Sequence, residues 1–89
     1  MNDFNEKHCG LGLQEVAARY IKNYFDLHGE ILPPDGLYVR ILNEVERPLI
    51  EETLRRMKGN QVRVAKLLGI NRNTLRRKMQ ELNISLREL

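Results

Sequence analysis

Residues 59–84 read Gly-Asn-Gln-Val-Arg-Val-Ala-Lys-Leu-Leu-Gly-Ile-Asn-Arg-Asn-Thr-Leu-Arg-Arg-Lys-Met-Gln-Glu-Leu-Asn-Ile, and the punctuation of this stretch decides the fold. It predicts two short helices hinged at Gly69. Asn60 and Asn71, eleven positions apart, are of a residue type whose side-chain oxygen accepts from an unpaired amide in a helix's opening turn. The first helix is expected to begin after Asn60 and to end near Leu68. Gly69 then supplies the left-handed backbone needed to leave a helix and turn sharply, and Ile70 plugs the corner. The spacing leaves room for about two helical turns and a tight bend, the frame of a helix-turn-helix.

At roughly 100° per residue, Leu75, Met79 and Leu82 fall within an arc of about 60° on the second helix, a narrow stripe expected to be buried. Asn73, Arg77 and Gln80 lie opposite, with Arg72 and Arg76 on one flank and Thr74 and Lys78 on the other. Ala65 is small where the two helices should approach most closely, and Val64, Leu68 and Ile70 complete the wedge. Charge on one side of an amphipathic helix is ordinarily a solvated face, but solvated helices mix both signs to gain pairing four residues apart. Between Arg55 and Met79 there is no carboxylate. Residues 1–54 carry five Lys or Arg against ten Asp or Glu, a balance of −5, whereas residues 55–89 carry ten against two, a balance of +8. The basic end has the electrostatic footprint of a protein that meets a polyanion, and the acidic half is expected to stay away from its phosphates.

The 89 residues fit one domain, near the lower limit at which a chain buries enough surface to fold alone. No run approaches the roughly 18 apolar residues of a membrane span, and Met1–Gly10 lacks the apolar stretch of a signal peptide, so a soluble cytoplasmic protein without a membrane partner is expected. Cys9 is the single cysteine, which leaves no internal disulfide and no thiolate metal cluster. Its neighbour His8 suggests a nucleophile and base, but adjacent side chains in a polar tail have no scaffold to orient them. His28, near a helix end, is expected to meet terminal carbonyls rather than a metal. No carboxylate pair, glycine-rich phosphate loop or metal constellation stands on a structured segment, so no enzyme, catalytic residue, metal, cofactor or small-molecule substrate is expected.

Met1–Gly10 is polar and aperiodic and is expected to be a disordered tail, ahead of a single domain over 11–89. A helical pattern starts at Leu11 or Gly12: Leu13, Val16, Ala17, Tyr20, Ile21, Tyr24 and Leu27 recur at three- and four-residue steps until Gly29. Pro33-Pro34-Asp35-Gly36 marks a loop, with Asp35 as N-cap of the next helix. That second long helix is expected from about Gly36 to Lys58, with Leu37, Ile41, Val45 and Leu49 at four-residue steps and Tyr38, Leu42, Ile50, Leu54 and Met57 widening the face. Pro48 falls inside it. Because the apolar pattern continues in phase on both sides, it predicts a kink rather than a break.

These two helices carry more apolar surface than the helix-turn-helix can cover, and a second copy of the chain could cover it. The expected fold is therefore all-α, with four helices per chain: two long dimerisation helices followed by the helix-turn-helix, in an intertwined two-fold homodimer. Its antiparallel four-helix bundle would bury Tyr20, Tyr24, Ile41, Val45 and Leu49. The competing arrangement is a small monomeric bundle. Over 84–89 either a last turn capped by Ser85 with Glu88 or a frayed end is expected.

Residues 59–84 resemble the DNA-binding segment of the Fis nucleoid proteins and of the C-terminal domain of NtrC-type transcriptional activators. Those families place Ala, Gly and apolar residues where Ala65, Gly69, Val64, Leu68, Ile70 and Leu75 stand. Lys78 departs from the pattern, since many helix-turn-helices have an apolar residue there; Met79 beside it supplies the stripe, consistent with a slightly rotated helix. Lys22-Asn23-Tyr24-Phe25, Leu37-Tyr38 and Glu44-Val45-Glu46-Arg47-Pro48-Leu49 resemble the Fis dimerisation helices, proline included. His28-Gly29, Leu32-Pro33-Pro34 and Gly36-Leu37-Tyr38 are similar to alphaproteobacterial NtrC proteins.

The resemblance implies a bacterial transcriptional regulator or nucleoid protein that binds double-stranded DNA as a homodimer, reads the major groove and bends the duplex. In those families positions matching Asn71, Arg72, Thr74, Arg76 and Arg77 make most of the contacts, and positions matching Asn60, Gln61 and Arg63 approach phosphates. Side-chain chemistry suits Arg72 and Arg76 to guanine edges and Asn73 to adenine. Thr74, Arg77, Lys78, Asn60 and Arg63 suit phosphates. NtrC proteins carry receiver and ATPase domains ahead of this segment, and the polar residues before Leu11 are short for the arm with which Fis proteins stimulate recombination. The alternative is a helical protein-interaction module whose basic face binds an acidic partner; it predicts no preference for a two-fold symmetric duplex.

Overall fold

A helix that ends in a left-handed residue can fold its next amide back onto its own last turn, and among the described residues three helix ends do so. The computed structural model describes residues 12–29, 31 and 35–88. The expected disordered tail over Met1–Gly10 and the Pro33-Pro34 pair lie outside the described residues. The chain divides between Asp35 and Gly36 into two units. Among the described residues there are four α-helices, a 3-10 turn and no strand, the all-α architecture expected, and no helix is long and apolar enough to cross a membrane.

The first unit contains α1, Leu13–His28, set between Gly12 and Gly29. None of its residues is buried: Leu13, Val16 and Tyr20 stand in the open although they share a stripe. His28 turns back on its own last turn, with Nδ1 2.8 Å from the Tyr24 carbonyl oxygen and its ring against that of Tyr24. This is the carbonyl-capping role expected of it.

The second unit begins with α2, Leu37–Arg56. Its N-cap is Gly36, in the left-handed region at φ 92°, with no side-chain cap hydrogen bond. The expected cap at Asp35 is thus corrected: the helix starts one residue too late for that carboxylate to serve. The helix runs unbroken through Pro48. Pro48 and Glu44 are both exposed, so water can reach the carbonyl that the missing amide leaves without a partner. Burial switches on only after this point. Residues 37–49 of α2 include no buried side chain, whereas Ile50, Thr53 and Leu54 are buried, and the Thr53 hydroxyl donates to the Leu49 carbonyl at 2.7 Å.

Two short helices follow, α3 at Gln61–Leu68 and α4 at Arg72–Glu81, with α3 packed against both α2 and α4. The core is Ile50, Leu54, Val64, Ala65, Leu75, Met79, Leu82 and Ile84, with Met57, Leu68 and Ile70 against it. The three closing turns build this core. Lys58, Gly69 and Asn83 are left-handed. The amides that follow them, of Gly59, Ile70 and Ile84, donate to Leu54, Ala65 and Met79 at 2.8, 3.0 and 2.9 Å. In the last two cases the donor residue is an isoleucine, so the same turn that satisfies a carbonyl also returns an apolar side chain to the core. After Ile84 the chain makes a 3-10 turn, Leu86–Glu88, with the Arg87 amide donating to Ser85 Oγ at 3.3 Å.

A Cβ at Gly69 would meet nothing within 4 Å, but φ there is +75°. Gly69→Ala is therefore expected to cost only the left-handed backbone penalty of about 1–2 kcal/mol, read as a shift of the urea midpoint at unchanged slope.

Candidate nucleic-acid interface

The orientation of α4 follows from its stripe. Leu75 is fully buried and Met79 and Leu82 nearly so, which turns Arg72, Asn73, Arg76, Arg77 and Gln80 outward, all exposed, and leaves Thr74 half-buried. The helix is held at its start by Asn71, whose side-chain oxygen accepts from the Asn73 amide at 2.7 Å; Asn60 does the same for α3 through the Arg63 amide at 3.3 Å. Each cap uses its oxygen inward and keeps its NH2 group as an outward donor.

The side chains named from sequence separate into groups. Gln61, Arg72 and Arg76 come together, lining one shallow depression with Gly59 and Val62. Gln61 and Arg76 also line a second, beside Gln80, Met79 and Ile84. The seam between the start of α3 and α4 is thus edged by two guanidinium groups and two carboxamides. Arg63 lies elsewhere on α3, in a third depression with Lys66 and Leu67. Lys66 was not singled out from the sequence, and Gln80 was placed on the outer face of the second helix without a contact being assigned to it. Both are exposed polar residues of helical stretches, and only their neighbours in space mark them.

The electrostatics of this face are one-sided. Among the described residues no carboxylate lies within ion-pairing distance of Arg63, Lys66, Arg72 or Arg76. Arg77 Nε stands 3.8 Å from Glu81, with both side chains close to two-thirds exposed, a pairing of little energetic weight in water. Glu51 and Glu52 of α2 are engaged within their own helix. Glu52 takes both Arg56 and Arg55, and these partners, Arg56 foremost, hold its carboxyl below the usual carboxylate range.

Lys78 is the exception among the expected cations. Its Nζ lies 2.8 Å from Glu46 Oε2, both side chains less than a third exposed, so the ammonium is turned toward α2 and not outward with its neighbours. This accounts for a lysine where an apolar residue is usual: the stem lies along the buried flank of α4 and the charge ends on an acid 32 positions earlier. Arg47, the residue after Glu46, donates to the Leu82 carbonyl at the end of α4 and reaches Glu51 at 3.5 Å. Neither contact between α2 and α4 leaves a periodic trace in the sequence. Among the described residues no group of three His, Cys, Asp or Glu is placed to hold a metal ion. What the face offers is a set of exposed hydrogen-bond donors on a cationic helix that its cap and buried stripe hold in place.

Comparison with known proteins agrees with this geometry. A family model described as bacterial regulatory protein, Fis family, matches residues 41–82, the part of the chain that holds α4 in place. The chain is 49% identical over 79 residues to the DNA-binding transcriptional regulator NtrC of Azospirillum brasilense, a match covering 89% of this chain and 16% of that protein. It is 39% identical over 75 residues to a putative Fis-like DNA-binding protein of Pseudomonas aeruginosa, covering 84% of this chain and 71% of that one. It is 40% identical over 74 residues to the DNA-binding protein Fis of Actinobacillus succinogenes, covering 82% and 73%. The chain therefore spans about a sixth of its NtrC relative and most of its Fis relatives.

Removing the shorter cap should hurt more. Asn71→Ala is expected to cost about 1 kcal/mol of stability and Asn60→Ala less, measured by urea denaturation of the two variants side by side.

Proposed function

The chain belongs to the Fis family of bacterial regulatory proteins, and from that premise we propose that it binds double-stranded DNA sequence-specifically, as a homodimer, to regulate transcription. The observation that carries this reading is the outward face of α4. Arg72 and Arg76 sit on a helix held by its cap and its buried stripe, free of acidic partners among the described residues. A guanidinium presents two parallel donors that match guanine O6 and N7 in the major groove, which admits a helix. Arg72 and Arg76 are assigned to base edges and Asn73 to adenine. Asn60, Gln61, Arg63, Asn71, Thr74 and Arg77 are assigned to the phosphate backbone, where they set the register of the helix.

The dimer is supported by surface that one chain leaves uncovered. Tyr20, Val45 and Leu49 are 46%, 42% and 52% exposed, and Tyr24 and Ile41 half-buried, although all five lie on the apolar faces of their helices. A second copy is the partner that covers them, in an antiparallel bundle of α1 and α2 from each subunit. Two reading helices related by a two-fold axis favour a site of matching symmetry with half-sites about one turn, ~34 Å, apart. Where the heads stand closer than the groove repeat, the duplex must bend, and part of the preference is then read from its deformability. Such a protein works in the cytoplasm on nucleoid DNA, as a free-standing regulator or as the DNA-binding end of a longer activator.

Selection from random duplex with the purified protein tests this reading. Enrichment of a two-fold symmetric site supports it, and equal affinity for enriched and scrambled duplexes refutes it. On the selected duplex Arg76→Ala is expected to lose about 1–3 kcal/mol and to relax one base pair; an equal loss on scrambled duplex would move Arg76 to the phosphates. The melting temperature is expected to rise with protein concentration, and a concentration-independent melt with a monomer mass in sedimentation would remove the dimer.

A further inference from the structure

Two consecutive residues of α2 hold α4 at two points. Glu46 takes the Lys78 ammonium at 2.8 Å, with side-chain exposures of 30% and 27%. Arg47 donates to the carbonyl of Leu82, the residue that ends α4. One grip is on a side chain in the last turns of the helix and the other on its C-terminal backbone, where a cation also meets the negative end of the helix dipole. The Glu46–Lys78 pair ties one flank of α4 to α2.

We propose that Glu46 is a positioning residue for DNA reading, and that it acts by withdrawing Lys78 from the duplex. The inference rests on the function proposed above. A cation that reaches a phosphate strengthens binding to every sequence alike and adds about 0.9 to the dependence of log affinity on log salt. Lys78, occupied by Glu46 in a site shielded from most of the solvent, adds neither. Arg77 and Glu81 form the contrasting pair, 3.8 Å apart and nearly two-thirds exposed, where a phosphate can replace the carboxylate. Lys78 thus acts as a handle by which α2 sets the rotation of the helix that carries Arg72 and Arg76.

A double-mutant cycle on the full chain separates the roles. Glu46→Gln keeps the size and a hydrogen-bond acceptor, and Lys78→Met keeps the stem against the core, so both variants retain what the fold needs. Binding is measured from about 50 to 200 mM salt on the selected duplex and on a scrambled duplex of equal length. In the otherwise native chain Lys78→Met is expected to leave the salt slope unchanged while lowering the selected-to-scrambled preference several-fold. Glu46→Gln frees the ammonium and is expected to steepen the slope by about one on both duplexes, worth about threefold in affinity across that salt range. Adding Lys78→Met to Glu46→Gln should return the slope to its starting value without restoring the preference.

If Lys78→Met lowers the slope by about one in the otherwise native chain, Lys78 contacts phosphate and the inference is overturned. Unchanged preference in both single variants overturns the positioning role. The slopes on scrambled duplex are readable whether or not the native chain prefers any sequence, so failure of the DNA-reading proposal and failure of this one give different results.

Discussion

Leu75 has no solvent exposure, and neither do Leu54 and Val64. That three-way burial, one residue from each of α2, α3 and α4, is the constraint on which the rest of the basic half depends. Helices of eight and ten residues are too short to persist alone in water. They exist here because each places one side chain in a shared core, and burial of such side chains is worth about 1.5–3 kcal/mol apiece. The same contact sets direction. Once Leu75 points inward, 3.6-residue geometry leaves Arg72 and Arg76 no place but the flank and outer face.

Charge is partitioned by the same economy of space. Three of the four acids of α2 are matched within the second unit: Glu46 to Lys78, Glu51 to Arg47, Glu52 to Arg55 and Arg56. Formal net charge describes this poorly. Arg47, Arg55, Arg56 and Lys78 are paired in place, while among the described residues no carboxylate lies within ion-pairing distance of Arg63, Lys66, Arg72 or Arg76. The field in front of α4 is set by which cations lack partners and not by how many the chain contains.

Features governed by neighbours in sequence were legible in the chain itself. Asn60 and Asn71 cap, Gly69 turns, Leu75, Met79 and Leu82 are buried, and Pro48 does not end its helix, each by a rule that needs only a few adjacent residues. Asp35 failed because Gly36 took the left-handed position and moved the helix start by one. Lys58 and Asn83 were not anticipated in left-handed backbone, since neither is glycine, yet Asn83-Ile84 repeats the arrangement of Gly69-Ile70. Lys78 resisted reading for a different reason. Its partner is 32 residues away, and a helical wheel shows that a side chain sits on a flank but not which helix stands beside that flank. Whether Tyr20, Tyr24, Ile41, Val45 and Leu49 pack on a second chain is likewise a question of neighbours in space.

The proline of α2 falls at the border between two regimes, exposed apolar residues before it and core residues after it. A helix is a ladder of amide-to-carbonyl rungs, and at Pro48 one rung is absent while the rails continue. One continuous helix thus carries exposed apolar side chains along most of its length and core side chains only in its last two turns, with the missing rung at Pro48 close to the change.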